Sequence, residues 1–230
     1  MRRFTREQSL SLVFGGLFLA ALAGQAVAGW HDYNNLETWH AQMAGEAPET
    51  LSLGRYVTSS SFAQAVTENW QSEYLQFTLF ILLTVWFVQK GSPESKQRGE
   101  EGLETDEQQL VGAHARPSSP RWARAGGWRR RLYSNSLVIV MATIWLWSWF
   151  AQSVSGWSEN NADRLEHGQE SLSWVGYLGS ADFWQTTLQN WQSEFLAVGS
   201  MVVLAIYLRQ RGSPESKPVG TAHDTTAATG

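Results

Sequence analysis

Long stretches without charged side chains divide the sequence into apolar segments and polar connections. The four longest hold 24, 16, 27 and 14 residues, at 8–31, 74–89, 132–158 and 195–208. A helix needs about 20 mostly apolar residues to cross the roughly 30 Å of hydrocarbon in a bilayer. The first and third stretches are long enough by themselves, and the other two become so when extended toward the N-terminus. The pattern therefore predicts an all-α integral membrane protein with four transmembrane helices, over residues 9–29, 70–89, 136–156 and 190–208.

Two short motifs occur twice, and both pairs have the same offset of 121 residues. Asn-Trp-Gln-Ser-Glu (the Asn-Trp motif) stands at 69–73 and 190–194, and Gly-Ser-Pro-Glu-Ser-Lys (the Gly-Ser-Pro motif) at 91–96 and 212–217. Upstream, Trp30 matches Trp157 at an offset of 127, so the first connection is six residues longer than the second. Each copy contains two predicted spans, so the fold is two parallel two-helix repeats, both entering the membrane in the same direction.

The repeats set the domain organisation. We expect the first repeat in residues 1–96, a linker in 97–127, the second repeat in 128–217 and a tail in 218–230. The linker is charged and rich in Pro, Ser and Gly, and the tail is rich in Thr, Ala and Gly, so both are predicted to be disordered. Gly and Pro in the Gly-Ser-Pro motif predict that the second and fourth helices end there.

The positions of the positive charges predict the orientation. Fifteen of the 17 Lys and Arg residues lie in the N-terminal tail, the middle connection or the C-terminal tail. By the positive-inside rule these three segments are cytoplasmic, and the other two connections face outward. The apolar segment before Gly29 also resembles a cleavable signal peptide. Its repeat partner lies mid-chain, where it acts as a span, and this favours a span for the first segment as well.

Composition excludes several kinds of chemistry. The chain has no cysteine, so it has no disulfide framework, thiol catalysis or thiolate metal site. Its net charge of −4 argues against nucleic acid as a partner. His31, Asp32, Glu37 and His40 lack the spacing of a metal site and are interpreted as surface residues. We expect no catalytic residue, metal or cofactor.

Polar side chains inside the predicted spans form the candidate interhelical polar or ion site. Two glutamates lie about one turn inside the outer boundary, each with an asparagine four residues before it, and each predicted to approach a glutamine of the preceding span. Three interpretations stay open: interfacial residues, interhelical hydrogen bonds, or an ion or proton site. The residues are Gln25, Asn69, Glu73, Gln152, Asn190 and Glu194.

The 13 tryptophans fit the same topology. Four are predicted to lie near the outer interface as anchors: Trp30, Trp70, Trp157 and Trp191. Within the third span, Trp145 and Trp149 share one helix face, and Trp147 points away from it.

The two motif pairs also carry a family likeness. The chain resembles an uncharacterised family of small bacterial four-span membrane proteins, a domain of unknown function. The resemblance implies a bacterial cell (inner) membrane and assigns no activity. We expect a non-enzymatic structural or interaction module whose partner is the lipid bilayer, with assembly into a homo-oligomer left open and no other protein partner assigned. The other function considered is a small transporter or channel subunit that uses the intramembrane glutamates.

Overall fold

The computed structural model describes residues 6–228. These residues form only helices, turns and irregular segments, which confirms the all-α prediction. The helices are α1 (Ser9–Ala44), α2 (Leu53–Tyr56), α3 (Ser60–Trp86), α4 (Gly127–Ser134), α5 (Ser136–Glu166), α6 (Trp174–Leu178) and α7 (Ala181–Tyr207), with a 3₁₀ turn at Gly112–His114.

Two of these helices, α1 and α5, are long and apolar enough to cross a membrane, judged by length and composition. The other two predicted spans lie mostly in α3 and α7. These two helices carry the Asn-Trp motif near their middle, which shortens their apolar part. They end at Trp86 and Tyr207, just before the Gly-Ser-Pro motifs. The predicted spans to residues 89 and 208 therefore run slightly past the helices themselves.

The long helix α1 has no buried residue. Its apolar beginning is exposed on every side, from Leu10 to Leu19. The helix stops at Gly45, which has the left-handed backbone that glycine adopts easily (φ 74°), and the N–H of Glu46 bonds back to the Ala41 carbonyl.

The chain divides into two compact units. The first unit holds residues 1–66 and 154–174. At its centre the ring of Tyr56 is buried. The centroid of this ring lies 5.8 Å from that of Tyr33 and 5.6 Å from that of Phe62. Gly29 leaves the space that the Tyr56 hydroxyl occupies, because a side chain there would collide with it. Burial, and then the charges of Asp32 and Glu159, raise the pKa of Tyr56, so its phenol stays neutral.

The second unit holds residues 67–153 and 175–230. Its buried positions include Leu75, Phe183 and Ile206, and many more of them are polar than is usual for a protein in water. The fully buried side chains here include Gln71, Ser72, Ser148, Gln152 and Thr187.

The segments predicted to be disordered carry defined contacts. Two acids of the linker 97–127 pair with residues that flank it: Glu104 with Lys96 at 2.5 Å, and Asp106 with Arg130 at 3.1 Å. The Glu104 carboxyl has a lowered pKa because it accepts a hydrogen bond from Lys96. The domain boundaries and the disorder of linker and tail stay predictions.

Candidate functional site

A tryptophan and an asparagine of α1 hold the chain where it approaches α2. Trp30 Nε1 donates a hydrogen bond to the Leu51 carbonyl at 2.6 Å. Asn34, one turn further along, bonds the same residue twice: its amide donates to the carbonyl at 2.9 Å, and its oxygen accepts from the Leu51 N–H at 2.7 Å. We call this arrangement the Trp-Asn clamp. It satisfies both backbone groups of Leu51 at a point where no regular structure does so.

The second repeat forms the same clamp. Trp157 Nε1 donates to the Leu172 carbonyl at 2.7 Å, and Asn161 makes the two bonds to Leu172 at 2.9 and 2.8 Å. The asparagine and leucine are 17 residues apart in the first copy and 11 in the second. The six extra residues of the first connection therefore lie within the loop that the clamp closes.

The Asn-Trp motifs bring α3 and α7 together in the second unit. Trp191 Nε1 donates to Gln71 Oε1 at 2.7 Å. The Ser72 hydroxyl donates to Glu194 Oε1 at 3.5 Å, a long and therefore weak bond. Glu73 lies close enough to Glu194 for their charges to interact. The two motifs are therefore in contact through Gln71 and Ser72 of the first motif as well as through the two glutamates.

The predicted polar residues differ in their surroundings. Glu73 and Asn69 are exposed, and Glu194 and Asn190 are half-buried. The backbone carbonyl of each asparagine accepts a hydrogen bond from the serine hydroxyl of its own motif. Ser72 donates to Asn69 at 3.0 Å, and Ser193 donates to Asn190 at 2.8 Å. Asn190 also donates to the Thr186 carbonyl at 3.0 Å.

The glutamines that were predicted to approach the glutamates lie in different units. Gln152 is buried in the second unit, and Gln25 is half-buried in the first. The Gln152–Glu194 and Gln25–Glu73 contacts stay predictions.

The four tryptophan anchors have different environments. Trp30 and Trp157 are half-buried in the clamps, and Trp191 is half-buried against Gln71. Trp70, the repeat partner of Trp191, is exposed. Three of the four therefore fix the fold through the indole N–H. Their placement at a membrane interface stays a prediction.

An aromatic cluster surrounds Trp149 in the second unit. Its indole N–H donates to Thr187 Oγ1 at 3.3 Å. Trp145 stacks on it at 6.1 Å, which confirms that these two share a face, whereas Trp147 is 68% exposed. The other rings within 6.2 Å of Trp149, from centroid to centroid, are Phe183, Trp184 and Trp191.

Sequence reasoning missed the clamp asparagines and the buried face of the first Asn-Trp motif. It selected the face with Asn69 and Glu73, whereas the structure buries Gln71 and Ser72. A signal for the clamps was present, because Asn34 and Asn161 keep the offset of 127 that Trp30 and Trp157 show. Both asparagines lie four residues after their tryptophan, on the same helix face.

The histidines form no metal centre among residues 6–228. Within that range no three His, Cys, Asp or Glu side chains lie close enough together to hold a metal ion. In the first unit, His40 Nδ1 faces Glu166 Oε1 at 3.6 Å.

Together, these features define a helical protein with two candidate membrane spans and duplicated hydrogen-bonding motifs. The chain matches, over residues 1–228, the model of a family described as Domain of unknown function (DUF6766), and it belongs to that family. No curated protein and no solved structure matches it.

Proposed function

We propose that the chain is a non-enzymatic, multi-pass membrane protein that serves as a structural or interaction module of a bacterial cell membrane. In this proposal α1, α3, α5 and α7 cross the bilayer, both termini are cytoplasmic, and the two repeats enter in the same direction. The duplicated clamps support the repeat, because each copy closes its outward connection with the same three hydrogen bonds.

The observation that carries the membrane proposal is the reversed distribution of polar and apolar side chains. Among residues 6–228, twelve polar or charged residues are buried, against six hydrophobic ones. Large apolar residues instead cover the surface, as along the beginning of α1. Water opposes so much exposed apolar surface, whereas lipid accommodates it. Helices in lipid associate through polar side chains and close packing.

Cysteine accessibility tests the number of spans and their orientation. Because the chain has no cysteine, each single-cysteine variant reports one position. We place cysteines at exposed Glu46, Gln108 and Gln169 and treat intact cells with a membrane-impermeant maleimide. Four spans predict labelling at residues 46 and 169, and labelling at residue 108 only after permeabilisation.

The alternative with only α1 and α5 in the membrane gives the opposite pattern at two positions. With the N-terminus inside, residue 108 is then labelled in intact cells and residue 169 is not. That pattern would overturn the four-span proposal, and the chain would then be a membrane protein with two spans. Labelling of all three positions in intact cells would contradict both arrangements.

Cation or proton transport is the second candidate function, favoured by the proximity of Glu73 and Glu194. Carboxylates within spans are unusual and often line ion pathways. If the pair carries protons, the wild-type chain in proteoliposomes dissipates an imposed pH gradient, and the double variant Glu73→Gln/Glu194→Gln does so at least tenfold more slowly.

Glu100→Gln is the matched control for the transport experiment, because Glu100 is an exposed acid of the linker. It should transport at the wild-type rate. A wild-type rate equal to that of protein-free liposomes, or an unchanged rate in the double variant, would contradict proton transport by this pair. The same assay with Na⁺ and K⁺ gradients tests the other common cations.

A further inference from the structure

The two Gly-Ser-Pro motifs are joined to each other in the second unit. The Lys217 side chain is 1% exposed, and its ammonium donates to the Gly91 carbonyl at 2.6 Å. It also donates to carbonyls of the tail, those of Ala222, His223 and Thr225, at 2.8–3.3 Å. A lysine of the second motif thereby ties the first motif to the end of the chain.

The tail completes this junction from its own side. The Gly91 N–H donates to Thr226 Oγ1 at 2.9 Å, and the Ala227 N–H donates to the Ser92 carbonyl at 3.1 Å. The two motifs also have matching internal structure, because the N–H groups of Gln89 and Gln210 donate to Ser95 and Ser216 at 2.7 and 2.9 Å. The junction thus connects the ends of α3 and α7.

One carboxyl from each motif meets at this junction. Glu94 and Glu215 occupy the same position of the repeated motif, and their carboxyl groups lie close enough for a hydrogen bond with Glu215 to shift the pKa of Glu94. Two carboxyl groups form such a bond only when they share a proton, since two carboxylates have no donor. The hydrogen bond to Glu215, followed by burial and the Glu215 charge, raises the pKa of Glu94 to about 7.

The surroundings of Glu94 explain why it holds a proton. It lines a cavity of about 270 Å³ whose walls come from α3, α7 and the first Gly-Ser-Pro motif. Most of the lining is apolar, including Phe80, Leu83, Val198 and Val202, and partial burial against it disfavours the charged form of Glu94.

Four of the other charged groups of this region have partners of their own. Lys96 contacts Glu104, Lys90 lies 4.0 Å from Asp224, and Lys217 is held by carbonyl oxygens. Arg209 donates to carbonyls at the end of α7 and to Thr221, and it lies 3.4 Å from the ring of His223. Among the charged groups, Glu215 is the one whose charge shifts the titration of Glu94.

We propose that Glu94 and Glu215 form a proton-operated latch that closes the ends of α3 and α7 tightly against each other when it is protonated and loosens this closure when both carboxyls ionise. Lys217 and the tail keep the motifs adjacent, and the shared proton decides how tightly they close. A duplicated motif is well suited to this device, because repetition places two identical acids opposite each other. The latch does not depend on the proposed function of the protein.

The direction of the pH response follows from the raised pKa. Between the ordinary glutamate pKa and about 7, the closed pair binds more protons than two separated carboxyls do. The contribution of the pair to closure is therefore fully present below the ordinary glutamate pKa, weakens as the pH rises through this window and is lost above about pH 7. Acidification closes the latch, and alkalinisation opens it.

Spin-label distances across the junction test the latch. Lys90 and Arg211 are exposed and occupy equivalent positions of the repeat. The double variant Lys90→Cys/Arg211→Cys carries one label at each position, because the chain has no cysteine of its own. The full chain, labelled at both sites in lipid nanodiscs, is measured by double electron–electron resonance at about pH 5.5 and about pH 8.5, on either side of the expected transition. We expect a narrow distribution at the acidic pH, and a broader one shifted to longer distances at the alkaline pH.

Glu94→Gln separates the shared proton from other pH effects. A glutamine amide donates to Glu215 at any pH and removes the repulsion, so this variant should keep the narrow distribution at both pH values. Glu215→Gln should behave in the same way and serves if the first variant does not fold. Glu100→Gln is the control and should retain the wild-type response. An unchanged wild-type distribution, or a wild-type pH response in both Gln variants, would overturn the proposal.

Discussion

Trp149→Ala is expected to lower the free energy of unfolding by about 3 kcal/mol, the lower end of the range for removing a large aromatic side chain from a packed interior, because Trp149 is half-buried. Trp149 is the centre of the aromatic cluster, and four rings lie within 6.2 Å of it. Its removal also leaves the hydroxyl of Thr187, which is fully buried, without its indole donor. The loss therefore combines a cavity with an unmade hydrogen bond.

Trp147→Ala is the matched control, because it removes the same side chain two residues away on the same helix. Trp147 is 68% exposed, and we expect its variant to lose less than about 1 kcal/mol. Unfolding is followed in mixed detergent micelles by tryptophan fluorescence, with circular dichroism as the second signal. Equal losses for the two variants would mean that Trp149 does not organise the core of this unit.

Asn34→Ala is expected to cost about 2–3 kcal/mol, because it breaks two hydrogen bonds and leaves the half-buried N–H of Leu51 without its partner. Trp30 keeps its bond to the carbonyl, so the loop loosens without losing every attachment. The clamp closes the longer loop in the first copy, and Asn34→Ala should therefore increase proteolysis between residues 45 and 52 more than Asn161→Ala does in its shorter loop.

Asn35→Ala provides the control for the clamp, since Asn35 is the next residue and is exposed. Thermal unfolding and limited proteolysis are measured on all three variants in the same detergent. We expect Asn35→Ala to unfold and to be cleaved like the wild type. If Asn34→Ala also matches the wild type, the clamp contributes nothing to the stability of the loop.

The sequence predicted much of the helical architecture because its strongest signals are local. A run such as 132–158, without a charge, favours a long apolar helix whatever surrounds it, and α5 covers most of that run. Trp145 and Trp149 share a face because helical geometry alone requires it. The ends of α3 and α7 were located to within a few residues from Gly and Pro.

The candidate site was harder to predict, because burial depends on which helix face meets a neighbour. Helical spacing places Asn69 and Glu73 on one face and Gln71 and Ser72 on another, and it does not say which face α7 covers. The structure buries Gln71 and Ser72. The partners of Trp191 and Trp149 likewise come from another helix, at separations of 120 and 38 residues.

The sequence by itself therefore determined the helices, their duplication and the asymmetric placement of positive charge. The helices and the charge placement are read from neighbouring residues, and the duplication from comparing one segment with another. Only the tertiary structure decided that Asn34 and Asn161 clamp their loops, and that Gln71 meets Trp191. It also decided that Glu94 meets Glu215. These are contacts between segments distant in the chain, and they form because folding satisfies backbone and side-chain polar groups that no local partner can reach.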